Sequence, residues 1–204
     1  MPRPVLKLRG ETLRLLAPVQ ERVSLVEALK AKEPWAERAL VEEHTGYVER
    51  LVTRVLGPHA DLDDLVQEVF IRALARVEDL RDDGVKNWIG AFAVNVAREA
   101  LRKRRRWSWI RIVAPEDTPD VDSGVASPEV QAAMRALYGL LDRMDPEDRV
   151  VFTLRAIEGL ELLEVAALTD LSLSTTKRRF KRAEERLREQ ARRHALLSDW
   201  VEER

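Results

Sequence analysis

The chain has 204 residues, 45% of them hydrophobic, 5% aromatic and 35% charged, with a net charge of −1 and no cysteine. That length suits one domain or two small ones, and the lack of cysteine excludes disulfides and thiolate metal sites. His44, His59 and His194 lack metal-ligand spacing, charges interrupt the N-terminal apolar residues, and no run approaches a membrane span, so a cytoplasmic protein with no cofactor and no membrane insertion is expected.

Leu, Ala, Arg and Glu predominate, residues that lose little side-chain freedom in a helical turn, and no strand-like alternation stands out. The fold class is read as all-α: two small helical domains joined by a flexible acidic linker, the second carrying a helix-turn-helix. Residues 1–33 form an N-terminal extension whose role stays open; a packing helix near 19–31 is preferred to a regulatory arm. A first domain spans 34–111, with predicted helices over 34–56, 61–79 and 85–106. Gly57-Pro58 and Asp82-Asp83-Gly84 divide them. Residues 112–127, with two prolines, a glycine and four acids, have linker composition. The second domain covers 128–204. Ser127-Pro128-Glu129 and Asp145-Pro146-Glu147 are helix starts, each an N-cap oxygen, a proline at the first helical position and an acid at the positive end of the dipole. They open helices over about 128–143 and 146–158. A short helix at 161–168 and a longer one, capped by Ser172 or Ser174 and running to about 190, follow.

The near-zero net charge conceals segregated blocks. Residues 61–83 hold eight acids against three bases, 98–111 seven bases against one acid, 115–122 four acids and no base, and 172–193 nine bases against three acids. Two basic blocks separated by an acidic stretch point to two contacts with a polyanion.

Along 61–79, Leu62, Leu65, Val66, Val69, Phe70, Ala73, Leu74 and Val77 share one arc, which is core. The opposite side carries Asp64, Gln67, Glu68, Ala75 and Glu78, with Ile71 among them. Ile71 is either a lone exposed apolar residue or the dry centre of a polar-rimmed protein contact. Along 85–106, Trp88, Ile89, Phe92 and Val96 form one face, with Ala93, Ala97 and Ala100 beside it. Asn95, Arg98, Arg102 and Arg105 fall within about 80° of one another. An amide aligned with three guanidinium groups suits base edges and phosphates; the alternative is a structural amide beside solvated arginines. Trp107 and Trp109 either stack on bases or anchor the linker, and anchoring is preferred. In the last predicted helix, Thr176, Phe180, Ala183 and Leu187 make the buried seam. Ser174, Arg178, Lys181 and Arg182 face outward, flanked by Thr175 and Lys177, as in a reader of the DNA major groove.

These segments also carry a resemblance. DLVQEVF at 64–70, within PHADLDDLVQEVFIRAL, the W-I-x-x-F-A-x-N-x-A pattern at 88–97, D-P-E-D-R-x-V-F at 145–152 and S-L-S-T-T-K-R-R-F at 172–180 resemble regions 2 and 4 of extracytoplasmic-function (ECF) RNA polymerase sigma factors. The resemblance covers about residues 35–190. It implies that 34–111 is region 2 and 128–204 region 4, and that Asp64, Gln67, Glu68 and Ile71 meet the β′ coiled coil of core RNA polymerase. The Asn95, Arg98, Arg102 and Arg105 stripe would then read and open the −10 element, the loop at 79–86 would pocket an unstacked base, and Ser174, Thr175, Lys177, Arg178, Lys181 and Arg182 would bind the −35 duplex. Such proteins initiate transcription without catalytic residues and are often held by an anti-sigma factor. Gly90 and Ala91 depart from the family, where an aromatic and a base are common. Asp170 departs too, where the turn often has glycine. The rival is a stand-alone helix-turn-helix regulator, which has no need of DLVQEVF and Ile71.

Overall fold

The computed structural model describes residues 24–57, 61–81, 84–110 and 127–198, with side chains omitted over 107–110. Among these there is no β-strand. Ser24 starts α1 (Leu25–Lys30) through a capping box with Glu27, which satisfies two otherwise orphaned backbone donors. Pro34 opens α2 (Pro34–Leu56), whose buried Leu40, Val48, Leu51, Val52 and Val55 recur at helical spacing. Gly57, at φ 75°, ends it.

The expected helix over 61–79 is shorter than predicted. Helix α3 spans Leu62–Leu74, and a two-residue turn leads to a 3₁₀ segment at Val77–Asp79. Residues three apart eclipse in a 3₁₀ turn, so Val77 and Leu80 both reach the core. The helix expected to stop at 106 instead runs on as α4 (Val85–Ile110) through both tryptophans. The linker expected at 112–127 lies outside the described residues except for Ser127, whose hydroxyl accepts from the Val130 N–H and caps α5 (Pro128–Leu141).

Asp145 caps α6 (Pro146–Phe152), which passes into a π-helical turn at Thr153–Ile157. Helix α7 (Leu162–Thr169) ends at Asp170, held left-handed at φ 55°, ψ 40°. Asp tolerates that conformation better than most residues, so the missing turn glycine costs little here. Ser172, not Ser174, caps α8 (Leu173–Ala191).

Helices α1 to α4 form one bundle and α5 to α8 a second. The bundles are packed together. One continuous apolar cluster runs from Leu40, Val52, Ile89 and Ala97 of the first to Val150, Leu154, Val165 and Leu168 of the second. The first half of α4 is apolar on nearly all sides because it is covered on both, by α2 and α3 on one and by α6 and α7 on the other.

Candidate nucleic-acid and polymerase interface

Helix α3 turns its apolar arc inward as its spacing requires, with Val66, Val69, Phe70 and Ala73 buried. Ile71 is 54% exposed, Asp64 and Gln67 are exposed beside it, and Glu68 is half-buried. Arg72 donates from Nε to Glu68 at 2.7 Å and from Nη1 to Glu99 at 2.8 Å. These hydrogen bonds raise the Arg72 pKa above its ordinary value and fix the Glu68 carboxylate on the rim of the Ile71 patch.

Asn95, Arg98, Arg102 and Arg105 are brought onto one stripe of α4; Asn95, Arg102 and Arg105 are exposed, and Arg98 alone is tucked against the second bundle. Asn95 is exposed and accepts from Arg98 Nη1 at 3.2 Å. Arg98 is folded against the second bundle with only 13% of its side chain exposed. Its Nη2 donates to the Thr169 carbonyl at 3.0 Å. Its Nε stands 3.4 Å from Glu147 Oε2 yet is too misaligned to form a hydrogen bond. Burial lowers the Arg98 pKa, with Glu147 opposing. Arg102 donates to Glu147 at 2.6 Å, Arg105 pairs with Asp145 at 3.7 Å, and Arg104 pairs with Asp142. Of the 79–86 loop, residues 82 and 83 lie outside the described residues; Lys86 places its ammonium 5.1 Å from the centre of the Tyr47 ring.

On α8, Thr176 and Ala183 are buried, with Phe180 and Leu187 half-buried behind them; Phe180 stacks on Phe152 with centroids 6.1 Å apart. Ser174, Lys177, Arg178, Lys181 and Arg182 are exposed, and Thr175 is half-buried. The Thr175 hydroxyl lies 2.8 Å from that of Ser172. Arg182 is not a loose cation. Asp148, itself 5% exposed, accepts from Arg182 Nε at 2.7 Å and Nη2 at 2.5 Å, and from Arg179 Nη1 at 2.8 Å. That hydrogen bonding raises the Arg182 pKa and fixes the plane of its guanidinium group.

Sequence reasoning missed Asp148, Arg179 and Arg149. Arg149 is 1% exposed. It donates from Nε to the Val55 carbonyl and from Nη2 to the Leu56 carbonyl, both at 2.7 Å, and pairs with Asp142. A buried guanidinium thus satisfies the orphan carbonyls at the negative end of the α2 dipole, and Tyr138 adds a hydroxyl bond to the Arg54 carbonyl at 3.3 Å. Burial lowers the Arg149 pKa, against Asp142. The one sequence signal was an arginine amid the apolar residues of α6.

The comparisons with known proteins agree with this arrangement. Residues 40–107 match sigma-70 region 2 and residues 134–187 match sigma-70, region 4. The ECF RNA polymerase sigma factor SigE of Mycolicibacterium smegmatis is 32% identical over 81% of this chain, which spans 64% of that relative. The ECF RNA polymerase sigma-E factor of Escherichia coli is 28% identical over 79% of this chain and 89% of its own length. Among solved structures, CnrH in complex with the cytosolic domain of CnrY superposes with a TM-score of 0.55 at 23% identity, over 80% of this chain and 92% of that one. The sigma factor RpoE of Bartonella quintana, in complex with the anti-sigma factor NepR, gives 0.57 at 21% identity, over 74% and 94%. At those identities the structural likeness speaks for the fold alone. The two matched regions, in this order on one all-helical chain, define the class as sigma subunits of RNA polymerase. The chain belongs to the ECF RNA polymerase sigma factor family, whose activity is to direct the polymerase to promoters.

Proposed function

We propose that this chain divides that activity among three surfaces. Asp64, Gln67, Glu68 and Ile71 on α3 dock on the β′ coiled coil of core polymerase. Asn95, Arg98, Arg102 and Arg105 on α4 engage the −10 element, the amide toward bases and the guanidinium groups toward phosphates. Ser174, Thr175, Lys177, Arg178, Lys181 and Arg182 on α8 read the −35 duplex. Region 2 is taken as 34–111 and region 4 as 128–204, joined by 112–127. The observation that carries this division is Ile71, exposed within a polar rim on a bundle separate from the helix-turn-helix, a feature a stand-alone regulator does not need. The anti-sigma factor that the resemblance implies stays among the partners, and the Bartonella fold neighbour is bound to one. Among the described residues no helix is long and apolar enough to cross a membrane.

The deciding experiment adds the purified chain to core polymerase on a promoter library. The expected result is promoter-specific initiation that neither component gives alone. Tight duplex binding by the free chain, without association with core, supports the rival instead.

A further inference from the structure

Arg178 and Arg182 stand one turn apart on the same face of α8, yet they are held differently. Arg178 is exposed, and among the described residues no carboxylate pairs with it. Arg182 is gripped along one edge by Asp148 of α6, its Nε donating to Oδ2 at 2.7 Å and its Nη2 to Oδ1 at 2.5 Å. Asp148 is fixed in turn. Arg179 Nη1 donates to the same Oδ1 at 2.8 Å and lies 3.5 Å from Asp145. The Asp148 side chain keeps 7% of its surface exposed and that of Arg182 keeps 56%, so the carboxylate stays behind while the guanidinium group projects into water.

A guanidinium group carries its N–H donors in one rigid plane. Asp148 takes the Nε–H and one Nη2–H of Arg182, which leaves the end of the fork outward: Nη1 beside the second Nη2–H. Two parallel donors fit guanine, which offers O6 and N7 as adjacent acceptors in the major groove. Adenine sets an amino donor beside its N7, cytosine presents a donor, and thymine pairs a single acceptor with a methyl group. A phosphate, with oxygens on every side, accepts an arginine at any roll about its long axis. A base edge accepts it in one plane only, so a fixed plane matters for reading a base and little for holding a phosphate.

We propose that Asp148 is a positioning residue for promoter specificity: it holds Arg182 by the Nε–Nη2 edge so that the Nη1–Nη2 end meets one guanine of the −35 duplex. The proposal rests on α8 being the −35 reader. Asp148 touches no DNA itself and acts through Arg182. Two properties follow from the geometry. The carboxylate already restricts the rotamers of Arg182, and a side chain ordered before binding loses less freedom on contact. It also offsets positive charge beside Arg182, so this arginine attracts phosphates less than Arg178 does and contributes to base identity rather than to salt-sensitive attraction.

The test presents holoenzyme, reconstituted from core polymerase and the full chain, with promoter fragments randomised across the −35 element. Base preference is read at each position from the bound fraction. The parent should favour guanine about tenfold at one position, on one strand or the other, within the discrimination a bidentate arginine gives. Arg182→Lys keeps the charge but has no fork, and should abolish that preference and no other. Asp148→Asn keeps the side-chain shape but loses one acceptor of the pair, and should lower the same preference about threefold or more, with other positions unchanged. Combined with Arg182→Lys, it should change no base preference further. A guanine preference that survives Asp148→Asn, or a uniform loss at every position, overturns the proposal while leaving Arg182 in the reader. If Arg182→Lys alters no position, the assignment of Arg182 to the −35 reader fails first. Because Asp148 is buried, a second measurement uses the parent chain alone. By NMR, the Arg182 Nε–H should exchange with water about tenfold or more slowly than that of Arg178, and equal rates overturn the proposal even where the Asp148→Asn chain does not fold.

Discussion

The two basic faces of this sigma factor differ in what they meet. On α8, Lys181 is 78% exposed and Lys177 and Arg178 stand in solvent, whereas on α4 Arg98 keeps 13% of its side chain exposed and is wedged against Glu147. Both are helix faces rich in arginine, so composition does not separate them. What separates them is the partner each helix has on its other sides. Helix α8 packs one seam and leaves the rest to water, while α4 is clasped from both sides and its stripe falls at the seam between bundles. The carboxylates differ as well: Lys181 and Arg182 pair with Glu185 and Asp148 of their own bundle, whereas Arg98 and Arg102 pair with Glu147 of the other.

The largest expected effect comes from removing a buried side chain that ties the two bundles together. Arg149→Ala leaves the buried Val55 carbonyl without its donor and the Leu56 carbonyl with only Arg104 at 3.5 Å, while Asp142 keeps Arg104; each carbonyl so orphaned costs about 1–3 kcal/mol. Urea unfolding should show that loss, and a change below ~1 kcal/mol would mean that water replaces Arg149 at the end of α2 at little cost. Next in size is a surface shared by neither basic face. Ile71→Glu should fold normally, yet weaken core polymerase binding by ~1.5–3 kcal/mol or more, the burial value of an isoleucine with the added cost of a charge in a dry patch. Initiation should then fail at every promoter alike. Undiminished core affinity would show that α3 docks by another side.

The free face gives the third. Arg178→Ala and Arg182→Ala should each weaken binding to the −35 duplex by ~1–3 kcal/mol where the guanidinium contacts a guanine, with core affinity unchanged in the same titration. If only Arg178 matters, Asp148 holds Arg182 for the fold and not for DNA. The smallest concerns how that face is presented. Ser172→Ala removes the N-cap bond to the Thr175 N–H, 3.2 Å, and should cost about 1 kcal/mol of stability, seen as a lowered Tm and faster hydrogen exchange in the first turn of α8.

Legibility in the sequence followed the range of the forces involved. Helix periodicity fixes which side of α3 is wet, so Ile71 could be placed from residues 62–77 alone. Pro128, Pro146 and the serine and aspartate caps marked helix starts to within a residue, because capping is local. The segregated charges located both basic faces. Illegible were the pairings across more than 30 residues. Asp148 holds Arg179 and Arg182 from 31 and 34 positions away, and Glu147 reaches Arg102 from 45. Nothing in a single helix's pattern encodes such a partner. Helix α4 outruns its expected end at 106 because arginine and lysine are good helix formers, and it continues through Trp107 and Trp109 to Ile110. Gly90 departs from the family's pattern, and only with both bundles in place is it visible that a Cβ there would stand 3.0 Å from Leu168 Cδ2.

Arg149 completes the end of α2 from 94 residues further along the chain, which sets an order of events at the ribosome. Translation at about 5–20 residues per second leaves an interval of ~5–20 s after Val55 has been made and before Arg149 exists. Later in that interval Ile89 and Gly90 are made and stay uncovered by Leu168, and the Val55 carbonyl waits for Arg149 while Arg104 alone can reach the Leu56 carbonyl. Newly synthesised protein thus passes through a short period in which the α4 stripe is bare, and the carboxylates that pair with it arrive only with the second half of the message.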